Sequence, residues 1–341
     1  MLFFSEANYR GNHAGTKARN DAEAILREYG AHPINTRVLE LTDNNAGIQS
    51  NIANRLGYLR YYWELLFVRK QTVVIQYPML AFDIQLNYIQ KLSRHNKVIF
   101  LVHDIQSLRR EGYAGLEKEI EMLNHAYGLI VHNRFMEDKL KQIGIRVQRY
   151  YRLNCFDYLF QGEVSDVVRH PGVVFAGNLE KSEFLPEMCR QNQNVTFIFY
   201  GPGWDAERQV SNVAYCGSFS PDEIPGKLQG EYGLIWDGKT TSYCTGAVGE
   251  YTRINNPHKM SLYIAAGIPV IAWNQAAIAE FIQKNQIGIT VDQVDDLQSS
   301  FDKITPEQYR QMKDNVLKIR NDLIAGGYLR TVLSKIEEDL L

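Results

Sequence analysis

Short apolar runs alternate with amphipathic stretches along nearly the whole chain. In the first half, Leu2–Glu6, Arg37–Leu41, Thr72–Tyr77, Lys97–His103 and Tyr127–His132 are rich in Val, Ile, Phe and Tyr. They lack regular polar alternation, the pattern of strands buried on both faces. Between them, Thr16–Tyr29 carries apolar residues at helical spacing and stops at Gly30. Gln49–Lys70 is long and amphipathic, and Leu116–Ala126 and Phe135–Ile143 are shorter, the last ending before Gly144. This βαβα rhythm predicts a parallel, doubly wound α/β sheet.

The rhythm lapses around Tyr150–His170, which reads as the passage between two domains. It restarts with strands Gly172–Ala176, Val195–Tyr200, Val213–Cys216, Gly233–Trp236, Pro269–Trp273 and Ile287–Val291. Helices are predicted over Pro221–Gln229, Pro257–Ala266, Ala276–Lys284, Pro306–Ile324 and Leu329–Leu340. Two αβ halves facing each other leave a cleft, and ligands of such sheets bind beyond the carboxyl ends of the strands.

A length of 341 residues fits two domains. Hydrophobic residues at 45% and charged residues at 22% are ordinary for a folded chain and exclude disorder. The net charge of −2, from 37 basic and 39 acidic residues, argues against a nucleic-acid binder, so any anion site is local. Cys155, Cys189, Cys216 and Cys244 form no C-x-x-C pair, so neither a zinc site nor a disulfide framework is expected. Free thiols suit a cytoplasmic chain. No apolar run reaches the 18–20 or so residues that span a bilayer. The apolar segment Tyr61-Tyr62-Trp63 and Leu65-Leu66-Phe67 reads as core or as a contact between copies in a homo-oligomer.

Candidate chemistry lies just after the strands. Asn8–Lys17 has two glycines leading into a helix, suited to a polar hydroxyl or an anion, or simply a βα turn. It fits neither the dinucleotide nor the P-loop fingerprint. His103-Asp104 follows an apolar strand and reads either as a general base beside an acceptor hydroxyl or as a helix cap with His at the sheet rim. His132-Asn133 repeats this placement one strand later. Gly177-Asn178-Leu179-Glu180-Lys181 offers a tight turn with Asn178 and Lys181 in reach of a phosphate. In Asn255-Asn256-Pro257-His258-Lys259, Pro257 marks a helix start and Lys259 sits in its first turn, where ammonium and helix dipole add.

Taken together, His13–Asp21, Val102–Ile105, Ala176–Leu179, Gly233–Gly238 and Asn255–Lys259 resemble a group of bacterial sugar transferases. The group contains the β-1,6-galactofuranosyltransferases of O-antigen synthesis and the accessory glucosyltransferases of serine-rich-repeat adhesins. The resemblance implies a GT-B fold, two Rossmann-like domains around a cleft. An acceptor domain would cover residues 1–155, joined by a returning helix at about 325–341, and a nucleotide-sugar domain residues 170–324. It implies a UDP-sugar donor, no cofactor and no required metal; no D-x-D triplet occurs. The diphosphate would then be held by Asn178, Lys181, Asn256 and Lys259, with Asn255 also part of the donor site. Tyr200, Gly217 and Phe219 would surround the uracil, and Trp236 and Asp237 would face the sugar. His13, Gly15, Thr16 and Lys17 would line the acceptor, with His103 or Asp104 as the catalytic contact.

The expected function is hexose transfer from a UDP-sugar to a glycan or glycoprotein acceptor. UDP-glucose is favoured as donor, followed by UDP-galactofuranose. The alternative is a non-catalytic GT-B scaffold within a transferase complex. In the larger related group of retaining enzymes two glutamates occupy the positions held here by Asn255 and Leu262, so stereochemistry does not carry over.

Overall fold

The continuous apolar runs become interior strands. The computed structural model describes residues 1–5, 14–35, 67–79, 86–163, 172–205 and 210–341. One sheet contains β1 (Leu2–Ser5), β2 (His32–Asn35), β3 (Thr72–Tyr77), β4 (Lys97–Val102), β5 (Gly128–Val131) and β6 (Arg149–Arg152). Its order is β2-β1-β3-β4-β5-β6, with every pair parallel. The other contains β7 (Val173–Ala176), β8 (Phe197–Tyr200), β9 (Val213–Tyr215), β10 (Tyr232–Ile235), β11 (Val270–Trp273) and β12 (Gly288–Val291). Its order is β12-β11-β10-β7-β8-β9, again parallel throughout.

In the first half the helices are α1 (Ala14–Glu28), α2 (Leu86–Ser93), α3 (Gln106–Arg109), α4 (Leu116–Asn124) and α5 (Arg134–Gln142). In the second they are α6 (Leu185–Gln191), α7 (Gly246–Tyr251), α8 (His258–Ala265), α9 (Ile278–Asn285), α10 (Leu297–Phe301), α11 (Pro306–Ile324) and α12 (Gly327–Leu340). Alternate side chains of β3 and β4 serve opposite faces. Val73, Ile75, Val98 and Phe100 enter one core, while Val74, Ile99 and Leu101 enter another. That two-sided burial is why these strands show no polar alternation.

The last helix returns to the first sheet. Thr305 and Gln308 form a capping box that starts α11, and Gly326 turns the chain at φ +78°. The Asp157 carboxylate accepts the N–H groups of Tyr328 (3.0 Å) and Leu329 (2.7 Å) at the start of α12. Leu329, Val332, Leu333 and Ile336 then fill the core beside Phe3, Leu26, Val74 and Ile99.

Two expectations change and one strand is added. Tyr150–His170 is not all connector: Arg149–Arg152 is the edge strand β6, with Tyr151 buried and Arg149 and Arg152 exposed. Tyr150 packs on one core and Tyr151 in the other, but the exposed arginines at both ends leave too short an apolar run to read as a strand. Pro221–Gln229 forms no α-helix, only a 3₁₀ turn at Ile224–Gly226, because Pro225 removes a donor mid-segment. The second strand is His32–Asn35, where Pro33 is tolerated at a sheet edge. Arg37–Leu41, most of Gln49–Lys70 and the Tyr61–Leu66 part of the apolar segment lie outside the described residues.

Candidate active site

The second sheet reverses its strand order between β7 and β10, which opens a crevice at their carboxyl ends. Asp237 follows β10, Gly177 follows β7, and Lys259 from the first turn of α8 reaches both. The Lys259 ammonium lies 3.2 Å from Asp237 Oδ1 and 4.6 Å from the centre of the Phe175 ring. A Cβ on Gly177 would stand 3.1 Å from Lys259 Cε, so the lysine stem runs directly over the backbone there. Pro257 gives the helix no side-chain cap. The cation and the helix N-terminus therefore converge on one spot.

The loops after β7 and β8 are locked together around this spot. Gly177 donates to the Tyr200 carbonyl at 3.0 Å, and Gly201 to the Gly217 carbonyl at 2.8 Å. A Cβ on Gly201 would fall 1.8 Å from the Gly177 oxygen, and its φ is +129°, so only glycine fits. Asn178 Oδ1 accepts the Lys181 backbone N–H at 3.0 Å, and Lys181 is exposed on the turn.

Several other expected donor contacts already have their polar side-chain atoms engaged. Trp236 is 1% exposed and its Nε1 donates to the Thr240 carbonyl at 2.9 Å, so it belongs to the core rather than to a sugar pocket. Tyr200 is buried, donating to the Lys227 carbonyl and accepting the Gln229 N–H. Phe219 packs against it, ring centres 6.2 Å apart. Asn256 has no free polar atom for a phosphate. Its N–H donates to His132 Nδ1 (2.9 Å), its Nδ2 to the carbonyls of His132 (3.0 Å) and Asn154 (2.8 Å), and its Oδ1 accepts from Asn133 Nδ2 (2.7 Å). It ties the two halves together instead. Asn255 Oδ1 is buried and has no hydrogen-bond partner among the described residues.

On the opposite wall, His103 follows β4, and its Nε2 lies 2.6 Å from Gln76 Oε1 in β3. Its ring stacks on Phe156, centres 5.6 Å apart and planes 10° apart. Burial, then the charge of Arg19 and the imidazoles of His132 and His258, hold His103 well below the ordinary histidine range, so it is neutral at pH 7. Asp104 is paired with Arg109 at 2.5 Å, and burial raises its carboxyl against that pull. His132 has both ring nitrogens engaged, by the Val102 carbonyl and the Asn256 N–H, and is unsuited to move a proton.

Of the expected acceptor residues, His13 lies outside the described residues, Gly15 is exposed and Thr16 is buried. Lys17 is 7% exposed and points into a set of fixed partners: Asp21 (2.7 Å), the Leu159 carbonyl (2.8 Å) and Asp222 of the second half (2.8 Å). It is a bridge between halves, not a free ligand for a hydroxyl.

Sequence reasoning missed Gln76 and His258. Gln76 was visible as the only polar residue inside the apolar run of β3 between Thr72 and Tyr77. His258 opens α8 beside Lys259, stacks on Tyr158 (5.0 Å, 26°) and meets Phe156 edge-on at 6.1 Å. Both its ring nitrogens are buried without a hydrogen-bond partner among the described residues, and burial with the Lys17 charge lowers it to about 4. Phe156 thus sits between a neutral imidazole on one wall and the α8 N-terminus on the other. Such a cleft suits removal of a hydroxyl proton on one side and stabilisation of a leaving anion on the other. Among the described residues no three His, Cys, Asp or Glu side chains gather to hold a metal, and no helix is long and apolar enough to cross a membrane.

Comparison with known proteins bears on the family and the fold. The glucosyltransferase 3-like N-terminal domain family matches residues 3–155 and the C-terminal domain family residues 173–336. The chain is 31% identical to the β-1,6-galactofuranosyltransferase WbbI of Escherichia coli (strain K12), over 100% of this chain and 99% of that one. It is 25% identical to glucosyltransferase 3 of Streptococcus gordonii, over 93% and 92% of the two chains. Among solved structures, the lipopolysaccharide outer core galactosyltransferase WaaB in its apo form superposes with a TM-score of 0.60 at 12% identity, covering 100% and 99%. A structure titled trehalose-6-phosphate from E. coli bound with UDP-2-fluoro glucose gives 0.60 at 10%, covering 98% of each chain. These likenesses show the expected GT-B fold.

Proposed function

The chain belongs to the glucosyltransferase 3-like family, and on that premise we propose that it transfers a hexose from a UDP-sugar to a hydroxyl of a glycan carried on a glycoprotein or surface polysaccharide. The observation that carries the reading is Lys259, a cation in the first turn of α8 at the strand-order reversal, beside Gly177 and Asp237. That is the place and the chemistry a departing diphosphate requires.

The donor's diphosphate binds at the α8 N-terminus and Lys259, with Lys181 on the adjoining turn. The acceptor enters from the first half, where neutral His103 receives its hydroxyl proton. The acceptor oxygen bonds to the anomeric carbon, the bond from that carbon to the phosphate oxygen breaks, and UDP leaves with the electron pair. Family relatives named for galactofuranose and for glucose transfer support the hexose level of this reading. Residues 1–155 with the returning helix form the acceptor side in this scheme, and residues 170–324 the donor side.

The test is a screen of UDP-glucose, UDP-galactofuranose and UDP-N-acetylglucosamine by thermal shift and UDP release. A bound donor raises stability with the logarithm of its concentration. A folded protein that is neither stabilised by nor turns over any UDP-sugar overturns the reading.

A further inference from the structure

Gln76 is 2% exposed, near the carboxyl end of β3, and both ends of its amide are fixed. Its Nε2 donates to the Arg19 carbonyl at 3.3 Å, which turns Oε1 toward His103. Oε1 only accepts, so the His103 nitrogen 2.6 Å away carries the hydrogen. Stacking on Phe156 holds the imidazole plane. The ring is thus held in a single tautomer by a neutral acceptor.

Resting on the transferase reading, we propose that Gln76 is a positioning residue that fixes His103 as its Nε2–H tautomer and leaves the Nδ1 lone pair to take the acceptor hydroxyl's proton. Nδ1 has no hydrogen-bond partner among the described residues. The hydroxyl O–H bond breaks toward Nδ1 as the oxygen bonds to the anomeric carbon, and the imidazolium later returns its proton to water. The role differs from that of a carboxylate partner: a neutral amide orients the ring without favouring its protonated form. The charged and titratable groups around the ring do not reverse this. Arg19 of α1 disfavours a second cation, His132 after β5 and His258 of α8 are neutral neighbours, and Asp104 is offset by Arg109.

The experiment compares the wild type with Gln76→Leu and Gln76→Glu in the full chain. Nitrogen chemical shifts of labelled histidine, with His103 assigned through His103→Gln, read the tautomer without any substrate. The wild type should show Nε2 protonated and Nδ1 bare at pH 7, and Gln76→Leu a mixture. With a UDP-sugar that turns over, Gln76→Leu should lower kcat about 10–100-fold with KM for the donor unchanged. Gln76→Glu should retain more activity and move the acid limb of kcat/KM to higher pH, because its carboxylate stabilises the imidazolium. A wild-type His103 protonated at Nδ1, or a folded Gln76→Leu variant with unaltered kcat and pH profile, overturns the proposal. Absence of turnover with every UDP-sugar, alongside the expected tautomer, overturns instead the transferase reading and the base role that depends on it.

Discussion

Lys259 Nζ and Asp237 Oδ1 lie 3.2 Å apart across the end of β10, and both side chains remain partly open, at 19% and 30% exposure. The pair leaves the ammonium partly open rather than enclosed. Lys259→Ala should weaken UDP binding about 10–100-fold, the loss of a charge-assisted hydrogen bond, while leaving the melting temperature within a few degrees. Isothermal titration of UDP decides this, and unchanged affinity removes Lys259 from the site.

Lys17 and Asp222 give opposite expectations although they touch each other. Lys17 is nearly buried, whereas Asp222 is 81% exposed. Lys17→Met strips Asp21 of its counter-ion and should cost about 3–5 kcal/mol. Asp222→Ala should cost less than about 1 kcal/mol. Urea denaturation of the two variants measures both, and equal effects would contradict this division.

Acid should weaken the junction through His132. Burial lowers its imidazole to about 4, and protonating Nδ1 would set an N–H against the N–H of Asn256. The folded value lies below the unfolded one of about 6.5, so the unfolded chain binds more protons between the two. This contribution is therefore present above about pH 6.5 and is lost as pH falls toward 4, amounting to about 3 kcal/mol. Asp21 and Asp157, pushed up to about 6 and 7 by burial, act the other way, stabilising below about pH 4 and losing that as pH rises through 6–7. Comparing wild type with His132→Gln cancels the carboxylates. The variant should show a shallower fall in unfolding free energy from pH 6.5 to 4, and parallel curves would remove His132 as the cause.

The returning helix should matter to the first half. Leu333 is fully buried among residues of the first sheet. Leu333→Ala should cost about 2–5 kcal/mol. Limited proteolysis should then show faster cleavage in the first half, and cleavage confined to the second half would count against this packing.

Much of the fold was legible in the pattern of apolar runs. Thr72–Tyr77 and Pro306–Ile324 have the predicted bounds, because burial on both strand faces and a capped amphipathic helix each leave a local signature. The edge strand Arg149–Arg152 escapes that pattern because exposed arginines bound only two packed tyrosines. Among the candidate site residues, Lys259, Asp237 and His103 stand out in the sequence by their places after strands or at a helix start. Trp236, Tyr200 and Asn256 stand at such places too, but their polar atoms are spent on neighbouring backbone and side-chain groups.

The sequence by itself determined the parallel αβ architecture, the two-half division of labour to be tested and the residue types near the cleft, since periodicity and helix signals are local properties of the chain. Only the tertiary structure decided which of those side chains remain available. Gln76 and His103 are 27 positions apart, and Lys17 and Asp222 lie in different halves. Whether a polar atom is free or already bonded depends on partners that sequence spacing does not bring together, because buried donors and acceptors take the partners that packing supplies.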